Sequence, residues 1–219
     1  MLFLFDIDGT LVDTGGAGMA SLKEATCEIF GHEGPDLDLA GSTDLGIVAN
    51  IHLHFAVQPT RERFDAYIDV YLARLKWNLT HGGFNGRIYP GVSELLTELA
   101  ARPDVAVGLL TGNTAGGAAV KMRHFGLAEY FSFGAYGCDH ADRNRLGPFA
   151  LERAASHTGR TFLPANTWII GDTPKDIACA HAIGARCLAV ATGSFSTNEL
   201  EAYGADQVVE SLEQEIQWT

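Results

Sequence analysis

The sequence has few cysteines, few basic residues and no long apolar run, and each of these scarcities excludes a class of protein. Its four cysteines are scattered over 219 residues without a CxxC pair, so we predict reduced thiols and no disulfide framework. Lys and Arg total 15 against 27 Asp and Glu, which gives a formal net charge of −12. Such a field repels nucleic-acid backbones and anionic membrane surfaces, so we expect neither as a partner.

Apolar stretches are too short for a membrane span, which needs roughly 18 residues or more. The apolar start is interrupted at Asp6 and lacks the basic region of a signal peptide, so we expect a cytoplasmic protein. With 47% hydrophobic and 19% charged residues, the composition is that of a globular chain. The length suits one domain with a modest insert, and the sequence favours no particular oligomeric state.

Short apolar runs alternate with helical patterns over most of the chain. The pattern predicts strands at Leu2–Phe5, Val105–Leu110, Trp168–Ile170 and Cys187–Val190, with weaker candidates at Phe131–Ala135 and Gln207–Val209. It predicts helices at Ser93–Arg102, Thr114–Phe125, Pro148–His157 and Pro174–Ile183. Strands that alternate with helices indicate parallel βαβ units, so we predict an α/β fold with an open, doubly wound parallel sheet.

Residues 15–88 break this rhythm because they contain no convincing buried strand. Three helices are predicted there, at Ala17–Phe30, Asp44–Phe55 and Thr60–Leu79. We therefore predict an inserted α-helical domain at 15–88 and a core domain formed by 1–14 and 89–219. The basic residues of the third helix are expected to face solvent; they are Arg61, Arg63, Arg74 and Lys76.

Polar residues follow three of the predicted strands, at the point where each strand ends. The first strand is followed by the segment Asp6–Thr10, the second by Thr111–Asn113 and the third by Gly171–Asp176. In an open parallel sheet, ligands bind at the carboxyl ends of the strands. We therefore expect these three segments to converge on one site.

The residue types at these strand ends favour a divalent cation and a phosphate group. Clustered carboxylates repel one another, a cation relieves that repulsion, and oxygen ligands suit Mg²⁺. The predicted metal ligands are the four acidic residues, Asp6, Asp8, Asp172 and Asp176. Thr111 supplies a neutral donor for a phosphoryl oxygen. Backbone N–H groups are predicted to form an anion-binding nest, those of Gly9, Thr10 and Gly112.

Three motifs resemble those of the haloacid dehalogenase superfamily, in its phosphatase branch. Asp6–Thr14 reads DIDGTLVDT, Leu109–Asn113 reads LLTGN and Ile169–Ile177 reads IIGDTPKDI. The first motif is highly specific, and the resemblance covers nearly the whole chain. It is closest to phosphoglycolate-phosphatase-like members with a helical cap. The resemblance implies a Mg²⁺-dependent phosphatase that acts on a small phosphorylated metabolite.

The resemblance also implies roles for individual residues. Asp6 would be the nucleophile that forms an aspartyl-phosphate, and Asp8 the general acid and base. Mg²⁺ would be held by Asp6, the backbone carbonyl of Asp8 and Asp172, with Asp176 bound through water or orienting Asp172. Thr111 would assist catalysis. Substrate-binding positions by the same resemblance are Gly9, Thr10, Gly112 and Asn113.

The third motif of the family departs from its pattern here, because the segment 139–148 has no lysine. The common family spacing puts Arg143 in that place, and Arg145 is the other candidate. A guanidinium can bind phosphate or carboxylate in a bidentate way, so an arginine is a reasonable replacement. Lys175 and Lys121 are weaker sources of positive charge, and we expect Lys121 to be exposed on its helix.

In the predicted insert, the segment 41–44 resembles the family's cap segment that faces the active site. Thr43 or Asp44 is therefore predicted to contact the substrate. The alternative is that these residues only cap the helix that follows, since Thr and Asp are both good N-caps.

Four other functions are considered besides the phosphatase interpretation: a dehalogenase, a phosphomutase, a receiver domain and a non-catalytic protein. Asp8 argues against a 2-haloacid dehalogenase, whose reaction needs no acid. A phosphomutase needs a cap group that shields the intermediate from water, and the sequence identifies no such group. A phospho-acceptor receiver domain has no helical cap, which argues against that class. A non-catalytic protein of this fold is supported only by the absence of the third-motif lysine. Phosphoglycolate, a sugar phosphate, a nucleoside monophosphate and a phosphorylated amino acid derivative all stay open as substrates.

Overall fold

A computed structural model describes residues 1–218 and gives an α/β fold. The strands are β1 Leu2–Phe5, β2 Val12–Asp13, β3 Arg87–Ile88, β4 Ala106–Leu110, β5 Gly134–Ala135, β6 Thr167–Gly171, β7 Arg186–Val190 and β8 Gln207–Val209. The helices are α1 Ala17–Phe30, α2 Asp44–His54, α3 Arg61–His81, α4 Val92–Ala100, α5 Ala115–His124, α6 Leu146–Thr158, α7 Pro174–Ile183 and α8 Thr197–Ala202. Within residues 1–218, no helix combines the length and apolarity that crossing a membrane requires.

Six strands form one parallel sheet in the order β5-β4-β1-β6-β7-β8. The central strand β1 is apolar throughout because both of its faces are covered. Phe3 and Phe5 lie in one core cluster, while Leu2 and Leu4 lie in the cluster on the opposite face. The predicted doubly wound parallel sheet is therefore confirmed.

Three parts of the fold differ from the sequence prediction. The strand expected at Phe131–Ala135 is limited to Gly134–Ala135, because this edge strand pairs with β4 only at Leu109 and Leu110. The antiparallel pair β2–β3 and the short helix α8 were not predicted. Two-residue strands bury too little apolar surface to leave a pattern in the sequence.

Helices α1, α2 and α3, called the helical insert below, pack around a core of their own. Tyr67, Tyr71 and Leu75 of α3 meet Leu22 and Ala25 of α1 in this cluster. The opposite face of α3 carries the basic residues, which are exposed as predicted; they are Arg61, Arg63, Arg74 and Lys76.

The chain enters and leaves the helical insert through β2 and β3, which pair side by side as an antiparallel ribbon. Val12 faces Ile88 and Asp13 faces Arg87 in this ribbon. Because β2 begins only a few residues after β1, the ribbon joins the insert directly to the loop that follows the central strand.

Candidate active site

Three neighbouring strands of the sheet deliver polar side chains to one edge. Asp6 and Asp8 follow β1, Asn113 follows β4, and Asp172 follows β6. Since β4, β1 and β6 are adjacent and parallel, their carboxyl ends open side by side. These side chains line one cavity of about 340 Å³ between the sheet and the helical insert, so the predicted convergence of the three segments is found.

Three buried carboxylates form a compact cluster at the bottom of the site. Asp6, Asp172 and Asp176 each offer one oxygen, and these oxygens lie within 4.8 Å of one another. A Cβ atom built on Gly9 would lie 2.2 Å from Asp172 Oδ2, and one built on Gly193 would lie 1.8 Å from it. The glycines therefore let the backbone close around the Asp172 carboxylate. An all-oxygen set of this kind fits Mg²⁺.

Arg143 lies between two of these carboxylates and is itself buried. Its Nη2 lies 3.2 Å from Asp6 Oδ2 and donates a hydrogen bond to Asp176 Oδ1. Its Nε has no hydrogen-bond partner within residues 1–218. Arg145, the other candidate for this place, is exposed. The structure therefore brings Arg143, and not Arg145, to the carboxylate cluster.

The other carboxylate oxygen of Asp176 accepts hydrogen bonds from Thr173, the N-cap residue of the same helix, α7. Asp176 Oδ2 accepts hydrogen bonds from the backbone N–H of Thr173 at 3.0 Å and from its hydroxyl at 2.7 Å, which forms a capping box at the start of α7. Both carboxylate oxygens of Asp176 thus have protein donors. This arrangement suits a residue that orients its neighbours more than one that contacts an ion directly.

Burial governs the electrostatics of the two other carboxylates. It raises the pKa of Asp6 to about 6, against the lowering effect of the Arg143 guanidinium. Burial also raises the pKa of Asp172 to about 8, and the charges of Asp176 and Asp6 add to the effect. In a pocket of this kind a bound cation favours the ionised forms of both groups.

Lys121 lies in the site, although the sequence analysis gave it only as a weaker source of positive charge. The expectation that it is exposed is wrong, because its side chain is only 4% accessible. Its Nζ donates to Asp8 Oδ2 and to Asn113 Oδ1, both at 2.6 Å. A signal was present: Gly117, Ala118, Lys121 and Met122 recur at the spacing of one helical face, and this is the buried face of α5.

Asp8 accepts hydrogen bonds from two residues, and its side chain is 43% accessible. Besides Lys121, the Nδ2 of Asn113 donates to Asp8 Oδ2 at 2.8 Å. Thr111 lies behind this pair; it is fully buried, and its Oγ1 accepts from Asn113 Nδ2 at 2.9 Å. The Thr111 side chain also hydrogen-bonds Asp6, which lowers the pKa of that carboxyl against the larger effect of burial. Its role as a donor to a phosphoryl oxygen stays a prediction.

The predicted anion-binding nest is only partly present. The N–H of Gly9 donates to Val12 O at 3.1 Å and that of Thr10 to Ile7 O at 3.4 Å, so the turn after β1 consumes both donors. The Thr10 hydroxyl donates to Asp172 Oδ1 at 3.0 Å. By contrast, no partner within residues 1–218 is found for the backbone N–H of Gly112, which lines the cavity.

The start of α2 meets the loop after β4. Thr43 does not line the cavity that holds Asp6. Its Oγ1 instead donates to Ala141 O at 2.7 Å and accepts from the N–H of Gly46 at 3.2 Å. The structure therefore shows the N-cap alternative for Thr43 and gives no support to substrate contact.

Asp44 does line the cavity, and it is buried. Its Oδ2 accepts from the N–H of Thr114 at 2.6 Å, and its own N–H donates to Gly112 O at 2.7 Å. Burial raises the pKa of Asp44 to about 6, and the N–H of Thr114 opposes that rise. This carboxylate thus joins the helical insert to the sheet domain.

Comparisons with known proteins agree with this geometry. Residues 3–190 match the family described as haloacid dehalogenase-like hydrolase. The N-acetylmuramic acid 6-phosphate phosphatase of Pseudomonas putida is 26% identical over 94% of this chain and 90% of its own length. The phosphoglycolate phosphatase of Yersinia pseudotuberculosis is 29% identical over 86% of this chain and 80% of its own length. The structure of CbbY from Rhodobacter sphaeroides in complex with phosphate shares the fold, with a TM-score of 0.72 and 19% identity over 96% of this chain and 94% of that one. A match over most of the chain, with the motif carboxylates at adjacent strand ends, places this protein in the haloacid dehalogenase-like hydrolase family.

Proposed function

We propose that this chain is a Mg²⁺-dependent phosphomonoesterase that hydrolyses a small phosphorylated metabolite through a phosphorylated Asp6. The observation that carries the proposal is one cavity lined by Asp6, Asp8 and Asp172 together with the two buried cations Lys121 and Arg143. Membership of a hydrolase family, and relatives named as phosphatases, support it.

Asp6 is the nucleophile in this proposal. One of its carboxylate oxygens attacks phosphorus, and the bond from phosphorus to the ester oxygen breaks. The Arg143 guanidinium, 3.2 Å from Asp6 Oδ2, favours the ionised carboxylate that this attack needs. Arg143 thereby does the work of the family's missing lysine.

Asp8 moves the protons in both halves of the reaction. It gives a proton to the leaving oxygen in the first half and takes one from the attacking water in the second half, which releases phosphate and restores Asp6. The hydrogen bonds from Lys121 and Asn113 to Asp8 Oδ2 hold its carboxylate in a fixed orientation. Its other oxygen, Oδ1, has no protein donor within residues 1–218 and is the one that exchanges the proton.

The remaining groups hold the phosphoryl oxygens and the ion. The free N–H of Gly112 and the guanidinium of Arg143 are donors for the phosphoryl oxygens. Asp6, the backbone carbonyl of Asp8 and Asp172 would hold Mg²⁺, with Asp176 orienting the set. When bound, the ion offsets the charge that develops on the phosphoryl oxygens. The helical insert, residues 15–88, acts as a cap that excludes water.

The test is phosphate release from a panel of small phosphomonoesters, with Mg²⁺ or with EDTA. We expect turnover that requires Mg²⁺ and that falls at least about 1,000-fold in Asp6→Asn, because the nucleophile is lost. Asp69→Asn, an exposed carboxylate on α3, is the matched control and should keep full activity. Unchanged turnover in Asp6→Asn would overturn the proposal, as would isomerisation of an ester without phosphate release.

A further inference from the structure

The wall of the cavity that faces away from the sheet belongs to the helical insert and is largely apolar. Its side chains there include Met19 and Leu22 from α1, Ile47 from α2 and Leu39 from the segment between them. The phosphoryl group is bound at the strand ends on the other side. This apolar wall therefore faces the part of the substrate that leaves as an alcohol.

Positive charge is supplied to the cavity only from the sheet domain. The lining cations within residues 1–218 are Lys121 and Arg143, and both are already paired, Lys121 with Asp8 and Arg143 with Asp6 and Asp176. None of the lysines or arginines of the helical insert lines the cavity. The charged residue that the insert does contribute is the carboxylate of Asp44.

The charge balance of the site leaves nothing for a second anion. Five carboxylates, the lining ones of Asp6, Asp8, Asp44 and Asp172 and that of Asp176 beside them, exceed the two lining cations by three charges. A divalent cation offsets two of these charges, and the phosphate group then adds its own negative charge. A carboxylate or a second phosphate on the leaving group would meet Asp44 and an apolar wall, where an unpaired charge is costly.

Besides the Asp44 carboxylate, two polar side chains of the insert line the cavity, those of Ser42 and Tyr71. The Ser42 hydroxyl already accepts a hydrogen bond from Lys175 Nζ at 2.8 Å. Tyr71 of α3 lines the cavity and is buried, and within residues 1–218 no hydrogen-bond partner is found for its hydroxyl. Burial holds the pKa of Tyr71 well above its ordinary value, so the group is a neutral donor and acceptor. Such a hydroxyl is suited to one uncharged polar group of a ligand.

We propose that the substrate is a phosphate monoester of a small, uncharged and mainly apolar alcohol, in which at most one neutral polar group meets Tyr71. This inference rests on the proposed function and deepens it. Phosphoglycolate, the substrate in the names of several relatives, carries a carboxylate on its leaving group and is therefore a poor substrate of this chain. The insert selects against charge because it provides no cation to receive it.

The experiment compares two esters of nearly the same size, 2-phosphoglycolate and 2-phosphoglycolamide, with the wild-type protein and Mg²⁺. We expect kcat/KM to be at least about 100-fold higher for the amide, since like charges placed together in a closed site strongly disfavour binding. Equal or faster turnover of phosphoglycolate would overturn the inference and leave the proposed phosphatase function standing. Turnover of neither ester would overturn this inference, while the phosphomonoester panel with Asp6→Asn would still decide the proposed function.

A variant of the wall gives an independent check. Met19→Lys places a cation on the insert side of the cavity, and it should reduce the preference for the amide at least about tenfold. Ile29→Lys, at an exposed position on the same helix α1, is the matched control and should leave the ratio unchanged. An unaltered ratio in Met19→Lys would show that this wall does not face the leaving group, and would overturn the inference.

Discussion

Replacing Lys121 by methionine tests whether the orientation of Asp8 limits the reaction. Methionine keeps an unbranched apolar side chain on the buried face of α5 but removes the ammonium group. In wild type this group donates to Asp8 Oδ2 and Asn113 Oδ1, both at 2.6 Å. After the substitution Asp8 keeps one donor, Asn113 Nδ2 at 2.8 Å. Asp8 therefore loses its charged partner and half of its hydrogen bonds.

The magnitude follows from that count. A hydrogen bond to a charged group contributes about 1.5–3 kcal/mol, so loss of the productive orientation lowers kcat by about 10- to 100-fold. The free energy of unfolding should change by only about 1 kcal/mol, because the Asp8 side chain is 43% accessible and water replaces the missing donor. Activity and stability are thus expected to separate in this variant.

The assay measures kcat and KM for an alkyl phosphate and for p-nitrophenyl phosphate. The comparison uses kcat/KM, which reports formation of the aspartyl-phosphate and not the later attack of water that Asp8 assists for both esters. The alkyl ester needs a proton on its leaving oxygen, whereas p-nitrophenolate leaves without one, so kcat/KM for the p-nitrophenyl ester should fall by less than about fivefold. Arg123→Met removes an exposed cation two residues further along α5 and should affect neither ester. Equal losses for both esters, or the same loss in Arg123→Met, would refute an action of Lys121 through Asp8.

Three further outcomes are expected. Gly193→Ala would put a Cβ 1.8 Å from Asp172 Oδ2 and so displace the Asp172 carboxylate. The affinity for Mg²⁺, measured by calorimetry, should therefore fall about 10- to 100-fold. An unchanged affinity would contradict the close contact between Gly193 and Asp172. The pKa of Asp172 is raised to about 8 and that of Asp6 to about 6, so Mg²⁺ binding at pH 7 should release about one proton. Calorimetry in buffers of different ionisation heat measures this release, and a release of zero protons would refute the raised pKa values. The pKa of Asp44 rises from 3.8 to about 6 on folding, so its ionisation destabilises the folded state as the pH rises through that range. In urea titrations the stability of Asp44→Asn relative to wild type should therefore improve by about 2 kcal/mol between pH 4 and pH 7, and a difference independent of pH would count against this explanation.

The fold was predictable where burial leaves a clear pattern. The run Leu2–Phe5 is apolar at every position because both faces of β1 are covered, and such a run identifies a central parallel strand. Because ligands of an open parallel sheet bind at the carboxyl ends of its strands, the sequence also predicted that Asp6, Asp8 and Asp172 lie close together. The edge strand β5 was overestimated because only two of its residues pair with β4.

The rest of the site depends on tertiary contacts that one sequence does not reveal. Lys121 was assigned to solvent because a lysine on a helix is usually exposed, and only the packing of α5 shows that its face is covered. The N–H groups of Gly9 and Thr10 were expected to bind an anion, but the turn to Val12 and Ile7 uses them. The sequence is compatible with Thr43 as an N-cap and with Thr43 as a ligand contact. In the structure its hydroxyl donates to the carbonyl of Ala141, which favours the N-cap.

The helical insert contacts the sheet domain at several places besides the covalent β2–β3 ribbon; at one of them Ser42 accepts from Lys175 Nζ at 2.8 Å. Another is the start of α2, where Asp44 N–H donates to Gly112 O at 2.7 Å and Leu45 N–H to Gly137 O at 3.2 Å. A rotation of the insert about the ribbon would break the hydrogen bonds at the start of α2. The N–H of the same Gly112 is the proposed donor to a phosphoryl oxygen. We therefore expect that opening of the cavity displaces a phosphate donor, so that movement of the insert and product release would be coupled.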